Sequence, residues 1–240
     1  MSTPRRFFCE NLNGASEIYL EGEEFIHAKT VLRVEEGSEI VLLDGSGKEY
    51  SAIVAKIEKH RLLAHITGAI QSNKEPKEHI YLLCGALKGD KTELVVQKAV
   101  ELGVSKIGIF NSEYCSAYMN QNKIERLNKV SREAAKQCLR ACAPEVLYFD
   151  SFSDALKSAK ECKNKLFACE FLDNSRRNML EITGSTALVV GSEGGFSEQE
   201  FELAEKLDFV GISLGKRILR AETAAIAMCT LAAFALGELK

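Results

Sequence analysis

The sequence predicts an α/β fold: a mainly parallel sheet with helices on both faces, preceded by a smaller β-rich domain. Three observations carry that expectation. The first third holds short strand-like runs separated by glycines and charged turns. From Ile80 onward, short apolar runs alternate with helical patterns, the rhythm of consecutive βαβ units. Between the two lies "QSNKEPKEH", a polar stretch that holds one of only three prolines. The expected organisation is a small β domain over 1–72, a linker over 73–79 and an α/β domain over 80–240.

In the β-rich part, "EIVLLDG", "KEYSAIVAKIEK" and "RLLAHITGAI" read as strands. "DGSGK" between the first two is a hairpin signal, because glycine supplies positive φ. "EFIHAKTVLRV" before them has apolar residues at helical spacing and is expected to run as a helix ending near Gly37. A small barrel or curled sheet with one helix accommodates these pieces. After the linker, "IYLLCGAL" is a strand. "DKTELVVQKAVELG" is a helix, with Asp90 and Glu93 spaced like a capping box and Gly103 as its stop. "VSKIGIF" is the next strand, and "KIERLNKVSREAAKQCLRA" a long amphipathic helix closed before Pro144. "EVLYF", a helix from about Ser153, "KLFACEF" and a short segment near "SRRNMLEI" follow. "TALVVG", a helix opened by Ser197 and Glu200, "FVGISLG" and an apolar last helix complete the alternation.

The chain has 240 residues, 46% of them apolar and 27% charged, enough for one large domain or two smaller ones. Its formal net charge is −3, with 10 Lys+Arg against 13 Asp+Glu before Ile80 and 21 against 21 after it. No basic excess marks a nucleic-acid binder, so any RNA contact would come from local patches. Eight scattered cysteines without a C-x-x-C pair, and no signal-like start, read as reduced thiols of a cytoplasmic protein. All four histidines precede residue 80, so no His/Cys metal cluster is expected, and the later part lacks the commonest general base. The apolar run from Ala224 to Leu236 is too short to span a bilayer and reads as a core or subunit-interface helix.

Two glycine-marked loops stand out, "GSEGG" after "TALVV" and "LGKRIL" after "FVGIS". In open α/β sheets, ligands bind beyond the carboxyl ends of the strands, where both loops fall. "KLFACEF" brings Glu170 to a third such position. Glycine lets backbone amides and carbonyls approach a flat heterocycle such as adenine, although the same residues also serve tight turns. "GSEGG" is neither a dinucleotide fingerprint nor a P-loop, and Glu193 would repel a phosphate. A neutral or cationic ligand fits better, and S-adenosyl-L-methionine, with its positive sulfonium, qualifies. Lys216, Arg217 and Arg220 beside the same edge point to an anionic second substrate, or alternatively to a solvated basic turn.

"VGSEGGFSEQE" together with "LGKRILRAETAA" resembles the paired signature of the ribosomal RNA small-subunit methyltransferase E family, a SPOUT-type group. "RFF", "VLRVEEGSEIVLLDGSGKEYSAIV", "KTELVVQKAVELGVSKI" and "AAKQCLRACAPEV" extend the likeness from the first residues to the last helix. The resemblance implies a PUA-like RNA-binding β-barrel and a SPOUT-type, trefoil-knotted, mainly parallel sheet. It also implies a homodimer that uses S-adenosyl-L-methionine to methylate N3 of a uridine in 16S ribosomal RNA, within the small ribosomal subunit. Cofactor contacts would fall to Glu170, Val190, Gly191, Glu193, Gly194, Gly195, Leu214, Gly215, Ile218 and Leu219. For catalysis, Arg220 and Arg140 are the expected cations beside a uridine anion, and Glu222 is a candidate proton acceptor alongside another carboxylate or water. RNA contacts are expected from Arg5, Arg6, Arg33, Lys88, Lys216 and Arg217; Lys56, Lys59 and Arg61 read either as a further patch or as a solvated strand edge.

Three positions depart from the family pattern: Ser192 replaces a usual proline, Tyr114 a usual arginine and Lys136 a usual glutamate. Two rival readings remain at this level. One is a SPOUT enzyme that methylates ribose 2′-O in transfer RNA. The other is a ribosome-assembly factor that binds RNA without catalysis, motivated by Tyr114 and Lys136.

Overall fold

The computed structural model describes residues 4–169 and 181–239. The chain divides into two compact units, the first running to Glu75 and including Ala135–Cys142, the second holding Pro76–Ala134 and the chain from Ala143 onward.

The first unit is a five-stranded sheet in the order β1-β3-β4-β5-β2, built from β1 (Arg5–Phe8), β2 (Glu17–Leu20), β3 (Glu39–Leu43), β4 (Glu49–Ile57) and β5 (Leu62–Ile70). All pairings are antiparallel except β1 with β3. Period-2 alternation sends Phe7, Ile40, Leu42, Ala52, Val54, Leu62 and Ala64 into one core. The β3–β4 hairpin forms as its glycines foretell, with φ of 76° at Gly45 and 100° at Gly47. Asp44 Oδ1 accepts the N–H groups of Ser46 and Lys48 inside the turn.

The expected helix before β3 is shorter and mixed. It runs as α1 (Gly22–Ile26) and a π-helical turn (His27–Val31), and Arg33 at φ 50° takes the chain out of helical geometry well before Gly37. The segment Ala135–Cys142 joins this unit through charge. Lys136 Nζ lies 2.8 Å from Glu24, and Arg140 Nη2 lies 2.8 Å from Glu75. The other Glu75 oxygen accepts the N–H groups of Ala141 and Cys142.

The second unit carries a wholly parallel six-stranded sheet in the order β11-β9-β10-β6-β7-β8. Its strands are β6 (Ile80–Gly85), β7 (Lys106–Phe110), β8 (Val146–Phe149), β9 (Asn164–Ala168), β10 (Thr186–Val190) and β11 (Val210–Ile212). Every residue of β6 and β10 is buried, the continuous apolar pattern of strands covered on both faces. Leu83, Phe110, Phe167 and Val189 share one core with α4 (Phe152–Ser158) and α5 (Glu198–Lys206). Against β6 and β10 pack α6 (Ala221–Ala235) and, through α6, α2 (Lys91–Glu101). β11 is the sheet edge beside β9, yet α6 after it returns to pack against β10 and β6 in the middle of the sheet. Asn128 on α3 (Gln121–Gln137) both donates to and accepts from the Val146 backbone at the opposite edge.

Two helix ends differ from expectation. At α2, Asp90 makes no side-chain cap, because its backbone is not extended and Glu93 is drawn instead to Arg126 at 2.8 Å. Helix α3 stops at Gln137 rather than near Ala141, where Leu139 at φ 66° turns the chain. The capping box opening α5 is present in full, Ser197 Oγ accepting from Glu200 N–H and Glu200 from Ser197 N–H. All eight cysteines are free thiols, and burial pushes the Cys229 thiol up to about 12. Among the described residues no helix is long and apolar enough to cross a membrane, and no cluster of ligands for a metal occurs.

Candidate active site

Because β9, β10 and β11 are parallel and adjacent, the loops after Ala168, Val190 and Ile212 leave the sheet on the same edge. Ala168, Cys169 and the loops after Val190 and Ile212 line a cavity of about 1010 Å³, at the upper end of the ~300–1,000 Å³ usual for small-molecule sites. Val190, Leu214 and Leu219 give it apolar walls, and Ala221 and Ala224 from the first turn of α6 add small ones. Gly191, Glu193, Gly195, Gly215 and Ile218 also line it, so most of the expected cofactor residues meet in one place. Gly194 does not line the cavity, and Glu170 lies outside the described residues.

The glycines have separate reasons to be glycine. Gly195 and Gly215 hold φ of 70° and 102°, which disfavours any side chain. Gly194 is required by close packing: a Cβ there would stand 2.5 Å from Tyr114 Cβ and 2.8 Å from Tyr114 O. Gly85, at the end of β6, likewise admits the loop, since its Cβ would meet Ser192 N at 2.5 Å. Part of the glycine signal therefore comes from chain-on-chain contact rather than from an approach to ligand. Ser192 is buried and its Oγ accepts a hydrogen bond from Ser112 Oγ at 3.2 Å, a tie that a proline in its place would not make.

Electrostatics divide the site. Lys216, Arg217 and Arg220 are exposed on the rim, with no ion-pair partner among the described residues. Deeper, Lys91 Nζ lies 3.1 Å from Glu193 Oε1 and 3.7 Å from Glu222 Oε2. The buried Glu222 oxygen has no hydrogen-bond partner. Burial acts to raise the Glu193 carboxyl, but the Lys88 N–H and the Lys91 ammonium outweigh it and hold it below the usual carboxylate value. Lys91 and Tyr114 also line the cavity; nothing in the local pattern of Lys91 marks it, whereas Tyr114 stands out in the sequence only as a departure from the family pattern.

The remaining candidates fall elsewhere. Arg140 does not line the cavity, and its guanidinium is buried against Glu75 in the first unit. Glu222 does not line it either, its carboxylate facing Lys91. Arg6 is buried beside Glu49 at 2.7 Å, an ion pair made by proximity without an aligned hydrogen bond. Arg5 and Arg33 are exposed in the first unit, and Lys88 is exposed in the loop before α2. Lys136 has Glu24 as its own partner, so its charge is answered within its own unit.

A parallel sheet with a glycine-loop cavity at its carboxyl edge defines the class, and comparison with known proteins names it. Residues 73–233 match the RNA methyltransferase domain, and residues 20–67 the RNA methyltransferase PUA domain. Ribosomal RNA small subunit methyltransferase E of Rickettsia conorii is 32% identical over 235 residues, which cover 94% of this chain and 93% of that one. Its Bacillus subtilis counterpart is 29% identical over 238 residues, 92% of each chain. A crystal structure of the Neisseria gonorrhoeae enzyme of that name, bound to S-adenosyl methionine, gives a TM-score of 0.87 at 32% identity over 95% of each chain. The chain belongs to the ribosomal RNA small subunit methyltransferase E family. Its fold is the SPOUT-type α/β domain with an N-terminal PUA-like domain.

Proposed function

We propose that this chain transfers a methyl group from S-adenosyl-L-methionine to N3 of a uridine in 16S ribosomal RNA. The observation that carries the reading is the cavity itself: apolar walls, glycine-loop backbone and three exposed cations without an ion-pair partner among the described residues, all in one place. These residues fit the cofactor. Backbone groups of the 191–195 and 214–219 loops suit an adenine edge, and the Glu193 carboxyl, which lines the cavity and is held below its usual value, offers an anion to a positive sulfur. When bound, S-adenosylmethionine supplies a methyl group on a positively charged sulfur.

The chain's own task is to make a poor nucleophile available. Uridine N3 carries an imide proton and attacks well only after losing it. Arg220 sits at the cavity edge as the N-cap residue of α6, where an exposed guanidinium and the positive helix end both favour an anion. Since Glu222 is held toward Lys91, water at the open mouth takes the proton in this reading. Lys216 and Arg217 would draw in the phosphate backbone, with Arg5, Arg33 and Lys88 as further RNA contacts. The uridine must be unpaired or turned out of its helix to enter. The enzyme would act in the cytoplasm, on RNA within the small subunit. It would act as a homodimer, since α2 and α6 leave Leu94 and Phe234 exposed.

The test uses small ribosomal subunits from cells lacking the enzyme, incubated with the chain and isotopically labelled S-adenosylmethionine. Mass spectrometry of the digested 16S RNA is expected to show labelled 3-methyluridine. A ribose-methylated nucleoside, or no label, would overturn the proposal.

A further inference from the structure

Tyr114 is large, aromatic and 53% exposed, and it lines the cavity. Exposure of such a ring on a loose loop would mean little, but this backbone is fixed. Glu113 N–H donates to Glu200 Oε1 at 2.9 Å, the carboxylate that also caps α5. Ser112 Oγ donates to Ser192 Oγ at 3.2 Å, and Cys115 N–H donates to Ser112 O at 3.0 Å. The Cys115 thiol donates to Ala86 O at 3.2 Å. Gly194 leaves the space in which Tyr114 Cβ and its carbonyl sit. The backbone and the Cβ that carry the ring are thus held in place while its surface stays open, so only the side chain's own torsions remain to be ordered when something lies against it.

An exposed aromatic ring on a fixed backbone near exposed cations is a combination by which proteins hold single-stranded nucleic acid: the ring stacks on a base while the cations follow the backbone. Lys216, Arg217 and Arg220 line the same cavity and supply the cations. We infer that the Tyr114 ring stacks on the acceptor nucleobase at the cavity mouth and holds it in position for methyl transfer. The inference rests on the methyltransferase reading above and adds a positioning residue to it. Stacking needs only the ring, so the phenol hydroxyl is dispensable.

Tyr114→Ala keeps the Cβ and carbonyl that pack on Gly194, so the loop retains its seat. With unmodified small subunits and tritiated S-adenosylmethionine, this variant is expected to raise KM for RNA about tenfold or more. Its affinity for S-adenosylmethionine, by calorimetry, stays within about twofold of the parent. Tyr114→Phe stays near the parent in both measurements. Unchanged KM in the alanine variant, an equal loss of donor affinity, or failure of the phenylalanine variant would each overturn the inference. The equal-loss result would place the ring on the donor instead.

A second readout needs no methyl transfer. A short single-stranded RNA carrying 5-iodouridine, irradiated with the full chain, is expected to crosslink to the peptide containing Tyr114. Crosslinks confined to other peptides would overturn the stacking role. An inactive parent chain that still crosslinks at Tyr114 would refute the reaction and support the contact.

Discussion

Two groups of cations, one in each unit, look alike in sequence and behave in opposite ways. In the first unit, Arg6, Lys136 and Arg140 have side chains at most 9% exposed, each against a carboxylate: Glu49, Glu24 and Glu75. In the second, Lys216, Arg217 and Arg220 are exposed around a cavity and have no ion-pair partner among the described residues. A buried, matched charge has its field cancelled by its partner and is held by geometry, so it serves the fold. An exposed, unmatched charge keeps its field available to an anion that arrives from solution. The difference assigns structure to the first group and substrate to the second, and it makes Arg140 a fold residue where sequence offered it for catalysis.

The largest expected effect tests the buried side of that contrast. Arg140→Ala leaves Glu75 without its cation and is expected to destabilise the protein by about 3 kcal/mol. Urea unfolding followed by circular dichroism would measure it, with binding of S-adenosylmethionine by the folded fraction unchanged. A stable variant that loses methyl transfer would reverse the assignment of Arg140. The next effect tests the exposed side. Arg220→Ala is expected to lower the rate of methyl transfer by about 100-fold, with little change in stability or donor affinity. Equal losses in rate and donor affinity would show that Arg220 serves the cofactor rather than the uridine anion.

Much of this contrast was hidden in the sequence, for a physical reason. The parallel sheet was legible because β6 and β10 are buried on both faces and so read as unbroken apolar runs. The α5 cap was legible because Ser197 and Glu200 satisfy each other locally. The same local pattern misled at α2, where Glu93 found a partner on α3 that no spacing rule includes. Ion pairs fail in the same way, since Arg6 meets Glu49 and Arg140 meets Glu75 only after folding. The glycine loops announced the cavity. They could not announce Lys91 or Tyr114, which reach it from the segments after β6 and β7 through the order of strands in space.

Lys91 is the intermediate case, and it yields the smallest and sharpest test. It is about one-third exposed, paired like the first group and placed on the cavity like the second. Its partner Glu193 has a carboxyl held below the ordinary value of 4.5. A depressed carboxyl contributes stability that is fully present above its unfolded value and is lost as pH falls through the folded one. Exposure and screening limit that contribution to about 1 kcal/mol or less, or roughly 2–4 °C in Tm for a chain of this size. The Tm difference between the parent and Glu193→Gln is therefore expected to be constant near neutral pH and to close in acid, below the ordinary carboxylate value. Replacing Lys91 with Met lets the Glu193 carboxyl rise toward its unfolded value, so in that protein the contribution is smaller and is used up at a higher pH. A parent-to-Gln difference that widens in acid would mean that Glu193 is not stabilised as an anion. Lys91 would then belong with the exposed cations of the rim.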